Sequence, residues 1–419
     1  MDNNKFFFGK INTIILQIIA IVGLNIAYVS VISKRFSYMG FTYEFDFSKF
    51  AIVNFLFLVL LFFSIFIQDK FIYACWHVIF LIYFVGEGIY YQYSIYTNKN
   101  QIISIGLILV LLIPISFINF QFEKKISLEK TDTIMSYMSF VMIIPFVVYY
   151  YKYIDLKNLF LINVYETRAL FRTVSKPLTG YLMSPLARII LPILILNNLE
   201  LKKYKKVFLY VAMIFYVYLC GALKSVFFGI LALFLFYQGT YAKKINRFIF
   251  TIIFFTFIGT FVAICFDNVF LLDSFIRRVF FIPPKLNVTY NDFFAGTPTY
   301  MTHSGLFLGQ NPFGKDLSFF IGEDVLGLQG FNANVGIYTE GFISFGYIGI
   351  FLFALLIVFI LLFLKMCNIP SKYFGITFVY LYYFNTAFIS TLLLTHGLFF
   401  FLIVSFLFLQ SDKKRLGYE

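Results

Sequence analysis

The sequence predicts an all-α, polytopic integral membrane protein of about twelve transmembrane helices, and three observations carry that reading. Of 419 residues, 61% are hydrophobic and only 13% charged, against roughly 45–50% and about 25% in an ordinary soluble domain. The apolar residues gather in continuous runs that fit spans of about 20 residues. The runs do not alternate over short segments as the strands of a lipid-exposed β-barrel do. These features exclude a secreted disulfide scaffold, a disordered chain and a soluble cytosolic enzyme. The four cysteines, Cys75, Cys220, Cys265 and Cys367, lie in or beside apolar runs without a CxxC pair. Neither a metal centre, a cofactor nor a disulfide framework is therefore expected.

The first run, residues 11–32, follows Lys5 and Lys10. It is too long for a signal h-region and is read as an uncleaved span. Further spans are expected at 50–67, 71–91, 101–120, 133–151, 181–199, 207–222, 225–241, 248–266, 341–364, 373–390 and 392–410. The division of 207–241 rests on Lys224 and Ser225, which interrupt an otherwise apolar run. Twelve spans put four basic clusters on one side together with both termini: Lys124/Lys125/Lys130, Lys202/Lys203/Lys205/Lys206, Lys243/Lys244/Arg247 and Lys413/Lys414/Arg415. The positive-inside rule makes that side cytoplasmic. The net charge of +13 then speaks of topology and anionic lipid, not of nucleic acid. Residues 1–419 are expected to form a single multi-pass membrane domain with outer connections at 33–49, 152–180 and 267–340. The last holds Pro283-Pro284 and many aromatics. It is far longer than an ordinary connection, which marks it as functional.

Charge type divides with side. Arg35, Arg168, Arg172, Arg188, Arg277 and Arg278 fall in the outer half, whereas Arg247 and Arg415 are the cytoplasmic arginines. Lysine suffices for topology, while arginine offers a permanent planar fork for phosphate or carboxylate. The plainer role for Arg277-Arg278 is an interface anchor. Two charges lie inside spans, Glu87 between Gly86 and Gly88, and Arg188. Charges there are usually paired or line a polar cavity, so a Glu87–Arg188 pair is one expectation and a snorkelling Arg188 the other.

The densest polar sequence begins at Arg277-Arg278 and Pro283-Pro284, continues through Tyr290-Asn291-Asp292-Phe293-Phe294 and Thr302-His303-Ser304, and reaches Asn332-Ala-Asn334-Val-Gly336. It ends in Glu340-Gly341-Phe342, Gly346 and Gly349. This order of Arg, Pro, Tyr-x-x-Phe-Phe, Asn-x-Asn-x-Gly and Glu-x-Phe-x-x-x-Gly-x-x-Gly resembles the bacterial O-antigen and capsule repeat-unit polymerases of the Wzy type. Lys224-Ser225 after Cys220-Gly221 resembles a Gly-x-x-Arg/Lys-Ser turn of the same superfamily, with Lys where Arg is common. The resemblance covers about residues 270–350. It implies a GT-C-like membrane glycosyltransferase architecture in the bacterial cytoplasmic (inner) membrane, with the site facing the periplasm. The implied reaction joins oligosaccharide repeat units carried on undecaprenyl diphosphate, by metal-independent, inverting transfer. A Wzz-type chain-length-regulating co-polymerase is an implied partner. An O-antigen ligase, delivering the glycan to lipid A core, and a flippase for lipid-linked sugars are the competing classes.

That chemistry assigns the polar residues. A lipid diphosphate leaves as an anion, which fixed cations stabilise. Arg277, Arg278, Arg168, Arg172 and Lys224 are the candidates. The acceptor hydroxyl needs a base within hydrogen-bond reach, and His303 is favoured over Glu340. Tyr290, Asp292, Asn332 and Asn334 are candidate sugar-binding residues. Plainer roles stand beside these: a loop histidine for His303, a helix N-terminal charge for Glu340, and turn formation for the asparagines.

Overall fold

A computed structural model describes residues 2–123, 126–160, 162, 164–221, 225–304 and 311–410. Lys224, Lys124, Lys125 and the C-terminal Lys413/Lys414/Arg415 cluster lie outside the described residues, as does the side chain of Arg172. All described regular elements are helical. In chain order they are α1 (Gly9–Arg35), α2 (Phe47–Ser64), α3 (Lys70–Tyr93), α4 (Asn100–Ile115) and α5 (Glu129–Tyr153). There follow α6 (Val164–Val174), α7 (Pro177–Glu200), α8 (Tyr204–Gly221), α9 (Ser225–Phe236) and α10 (Tyr241–Cys265). The last are α11 (Leu272–Phe281, π-wound), α12 (Ile282–Phe293), α13 (Ile337–Met366), α14 (Phe374–Tyr383), α15 (Ile389–Leu393) and α16 (Leu398–Phe408).

Eight of these, among the described residues, are long and apolar enough to cross a membrane: α1, α2, α3, α5, α7, α8, α10 and α13. The chain is a multi-pass helical protein. The other expected spans fall on shorter elements. α4 has 16 residues, α9 12 and α16 11, and the run at 373–390 is broken between α14 and α15. That break has a cause, because the backbone there turns to hydrogen-bond the start of α13. The segments expected as long connections carry more helix than a loop would: α6 lies within 152–180, and α11 and α12 within 267–340.

Local chemistry sets the helix starts. Asp46 accepts from the backbone N–H groups of Ser48 and Lys49 ahead of α2, and Asp69 from that of Ile72 in α3. Each side-chain cap satisfies amides that a first turn leaves unpaired. The faces of α1 are inverted relative to a soluble helix. Ile11, Ile15, Ile18, Ile19, Val22 and Ile26 form an exposed apolar stripe, while Thr13 and Gln17 are buried. Thr13 contacts Asn246 of α10 at 2.6 Å, and Gln17 contacts the ring of His77 in α3 at 3.3 Å. A lipid-facing surface needs no polar groups, so the polar atoms turn inward where they find partners.

The chain forms two compact units. One comprises residues 1–119, 240–362 and 381–390, and the other 120–239, 363–380 and 391–419. In the first unit, α3 is buried from Phe71 to Tyr90 and packs against α2, α4, α10, α11 and α12. Close approach to α11 and α2 depends on its glycines. A Cβ on Gly86 would lie 2.5 Å from the Phe280 carbonyl oxygen, and one on Gly88 2.5 Å from the Phe57 ring. In the second unit α7 is the most enclosed helix, packed against α5, α8, α9 and α16.

Candidate functional site

The site is built in the first unit where α13 begins and bends. Phe345 and Gly346 leave helical geometry, Gly346 at φ +62° and ψ −141°, a region that only glycine adopts without strain. Across this bend the backbones of Gly341 and Gly349 touch with no room for a side chain on either. The Gly-x-x-x-x-Gly-x-x-Gly pattern is therefore two helical pieces folded at Gly346, not one straight helix start. Ending the first piece frees its last carbonyls. Those of Ile343 and Ser344 accept from the backbone N–H groups of Thr299 and Tyr300, at 2.8 and 3.0 Å. The bend thus docks the turn that carries His303. Tyr300 and Met301 in that turn have positive φ, +48° and +64°. Such strain persists only where its surroundings over-determine it.

Docking brings His303 to Glu340. His303 Nε2 lies 3.4 Å from Glu340 Oε1, and both side chains are fully shielded from solvent. Neither of these atoms has another hydrogen-bond partner among the described residues. The separation exceeds that of a well-formed charge-assisted hydrogen bond. Catalytic contacts are often this loose until substrate binds. The other imidazole nitrogen, Nδ1, is 2.9 Å from Thr299 Oγ1, and the ring stands edge-on to Phe388 at 5.2 Å. Glu340 Oε2 accepts from the Ile389 N–H at 2.5 Å. Carboxylate, imidazole and hydroxyl thus stand in line. A carboxylate on one nitrogen fixes the tautomer and steadies an imidazolium, and the second nitrogen is then the one able to take a proton.

Glu340 stands in the first turn of α13, as expected, yet its carboxylate does not cap that turn. The Ile337 N–H donates instead to the Phe384 carbonyl at 3.0 Å. Gly336 is needed just before it, because a Cβ there would overlap the Phe384 oxygen.

The two arginines separate. Arg277 is buried. Its Nε donates to Asp273 Oδ1 at 2.5 Å, and its guanidinium lies 4.4 Å over the Phe36 ring. Arg278 leaves 64% of its side chain exposed and stands 3.6 Å from Asp273. Of the pair, Arg278 is the one that presents its fork to solvent. Lys285, one turn into α12, donates to the Met39 carbonyl. Burial, then the nearby Arg277 charge, pushes its ammonium below the usual lysine range. Arg168 lies in α6 of the second unit.

The sugar-binding candidates divide as well. Tyr290 is buried, and its hydroxyl donates to the Ala333 carbonyl at 2.8 Å. Burial pushes that phenol above its ordinary range. Tyr290 therefore fastens α12 to the asparagine turn and presents no polar atom to a ligand. Asn332 and Asn334 are exposed, alternating with buried Ala333 and Val335. Asp292 is exposed, 3.5 Å from the Asn98 amide. Phe294, Leu317, Ile321, Ala333 and Val335 form an apolar core with Tyr290 beneath this surface.

The two charges expected inside spans lie in different units, and each has a partner within its own. Glu87 accepts from the Asn287 side-chain amide, and Asn287 in turn accepts from the Thr339 hydroxyl at 2.7 Å. Arg188 Nη1 faces His396 Nδ1 at 3.4 Å. Thr299, Asn287 and Thr339 escape the sequence reading. The only signal of Thr299 is its four-residue spacing from His303, and Asn287 stands out only as the first residue of a chance Asn-Val-Thr sequon. No group of three or more His, Cys, Asp or Glu among the described residues is placed to hold a metal. The chain matches no protein-family profile, no curated protein and no solved structure.

Proposed function

We propose that this protein is a bacterial O-antigen or capsule polymerase that joins undecaprenyl-diphosphate-linked oligosaccharide repeat units. The observation that carries the reading is the enclosed Glu340–His303–Thr299 line, held in the same unit as Arg278 and the exposed Asn332/Asn334 turn. In this reading His303 is the base and Glu340 holds its imidazole. Nε2 is turned to the carboxylate, so the acceptor hydroxyl approaches Nδ1 by displacing the Thr299 hydroxyl. The proton moves to Nδ1 as the acceptor oxygen attacks the anomeric carbon of the donor sugar. The bond from that carbon to the diphosphate oxygen breaks, and the leaving anion is met by Arg278. A fixed cation there lowers the barrier because it is already in place when charge develops. Inversion follows from a single displacement, and the cation supplies the charge stabilisation that a metal gives in other transferases.

The same reading makes the architecture GT-C-like with twelve crossings, counting the shorter apolar helices. It places both termini in the cytoplasm, the site at the periplasmic face of the inner membrane, and a Wzz-type co-polymerase as partner. The test is direct. Purified protein in nanodiscs receives a lipid-diphosphate repeat unit and nothing else. A ladder of products supports polymerisation. No ladder, with transfer restored by lipid A core, would mean a ligase instead.

A further inference from the structure

Glu87 is a carboxylate enclosed in an apolar helix, and a charge in that setting normally marks function. Its burial is built in. Gly86 admits the Phe280 backbone of α11, which continues directly into α12 and lets Asn287 reach Glu87, and Gly88 admits the Phe57 ring of α2 on the other side. The hydrogen bonds that follow have a fixed sense. A carboxylate only accepts, so the Asn287 amide must turn its NH2 toward Glu87. Its oxygen is then left for Thr339, whose hydroxyl must donate. Asn287 and Thr339 are wholly buried. Thr339 is bonded directly to Glu340 in the first turn of α13.

That turn is also held from the 384–389 segment. Ile337 N–H donates to Phe384, the Tyr338 hydroxyl to Asn385, and Ile389 N–H to Glu340 itself. Neighbouring residues on a helix point about 100° apart, so Thr339 is tethered to α3 and α12 through Asn287, Glu340 to 384–389, and Tyr338 to Asn385 with its ring 5.9 Å from that of Tyr83 in α3. We infer that Glu87 is a positioning residue, which acts through Asn287 and Thr339 to hold Glu340 against His303. The positional claim stands on these contacts alone, and only its effect on rate rests on the proposed function.

Full-length protein in nanodiscs tests it, with hydrogen exchange at the Ile389 amide as a readout that needs no activity. Asn287→Asp sets two carboxylates face to face. It should speed exchange at Ile389 about tenfold or more, since a lost buried charge-assisted hydrogen bond is of that size. Glu87→Gln keeps an accepting oxygen and should stay within about threefold of wild type. The double variant restores a donor opposite an acceptor, because the glutamine amide can donate to the new aspartate while Thr339 donates to its other oxygen. Exchange should recover to within about threefold. Chain growth should follow the same order, with Asn287→Asp losing roughly 10- to 100-fold in kcat at unchanged donor KM. Should Asn287→Asp fail to insert, Thr339→Val against Thr339→Ser poses the same question, since serine keeps the donor. Wild-type exchange at Ile389 in Asn287→Asp or Thr339→Val overturns the inference. So does faster exchange spread evenly over α3, or a double variant no better than Asn287→Asp. If exchange responds as expected but the wild-type protein makes no polymer, the positioning role stands and the proposed function falls.

Discussion

Arg277 and Arg278 adjoin in sequence but should fail in different ways. Arg278 is mostly exposed, and its 3.6 Å contact with Asp273 is a surface ion pair, worth about 0–1 kcal/mol. Arg278→Ala should therefore leave the thermal midpoint within a degree or two. If its fork meets the departing diphosphate, the rate should fall about 10²–10³-fold, the scale of losing one preorganised charge-stabilising group. Arg278→Lys should recover part of that, since it keeps the charge and loses the two-pronged geometry. Arg277→Ala removes a charge-assisted hydrogen bond to Asp273 and a ring contact with Phe36. These are worth about 1.5–3 and about 0.5–1 kcal/mol. Asp273 keeps 22% of its side chain exposed, so water takes up part of the loss and about 2 kcal/mol remains. The assay pairs the initial rate of ladder formation with thermal unfolding of each variant in the same nanodiscs. Near-normal chain growth by Arg278→Ala would refute the assignment. So would an Arg277→Ala variant that is inactive with an unshifted midpoint.

Four further outcomes follow from the same contacts. His303→Gln should retain donor binding and stop elongation, with Glu340→Gln milder because an amide oxygen still accepts from Ile389; full-length polymer from His303→Gln would exclude it as the base. In a cysteine-free background, single cysteines at the exposed positions Asn332 and Thr173 should label from outside intact cells and one at Lys203 should not, and labelling at 203 would reverse the orientation. Gly346→Ala forces a side chain into positive φ, at a cost of about 1–3 kcal/mol, so an unchanged melting midpoint would show that the bend is not held as described. Lys315, then the Gly330 N–H, holds Glu323 below its ordinary 4.5, and Asp324 and Glu323 raise Lys315. The Glu323 contribution is complete above about pH 4.5 and lost as pH falls through the lowered folded value, so protection of the Gly330 amide, relative to its intrinsic exchange at each pH, should fall only in acid, and equal protection down to pH 2 would count against the contact.

The sequence reveals a good deal of the fold because lipid selects on composition along the chain. Each apolar run expected as a span carries helix, and the division expected at Lys224–Ser225 lies partly outside the described residues, with α9 beginning at Ser225. Lengths were less legible. The run at 373–390 is apolar throughout, and nothing local announces that Phe384, Asn385 and Ile389 give their backbone and side-chain groups to α13. That is a tertiary demand, and hydropathy does not register it. The α13 bend was half visible. Three glycines in Gly341-x-x-x-x-Gly346-x-x-Gly349 signal close packing, but the partner of Gly349 is Gly341 itself across the fold at Gly346.

The site separates in the same way into what residue type announces and what neighbours decide. A histidine and a glutamate in one polar stretch are visible, and their approach to 3.4 Å joins residues 37 positions apart that no spacing rule connects. Residue type also overstated two candidates. Tyr290 and Arg277 look like ligand groups, yet each spends its polar atoms inside the protein, on Ala333 and on Asp273. Both anchor helices, α12 and α11, whose exposed neighbours are the residues the proposed function gives to substrate: Asp292 and the Asn332/Asn334 turn by Tyr290, and Arg278 by Arg277. On that proposal the motif alternates anchors with contacts. An alanine at an anchor should lower stability and rate together, whereas an alanine at a contact should lower rate alone. That division is a stricter test of the site than the loss of activity in any one variant.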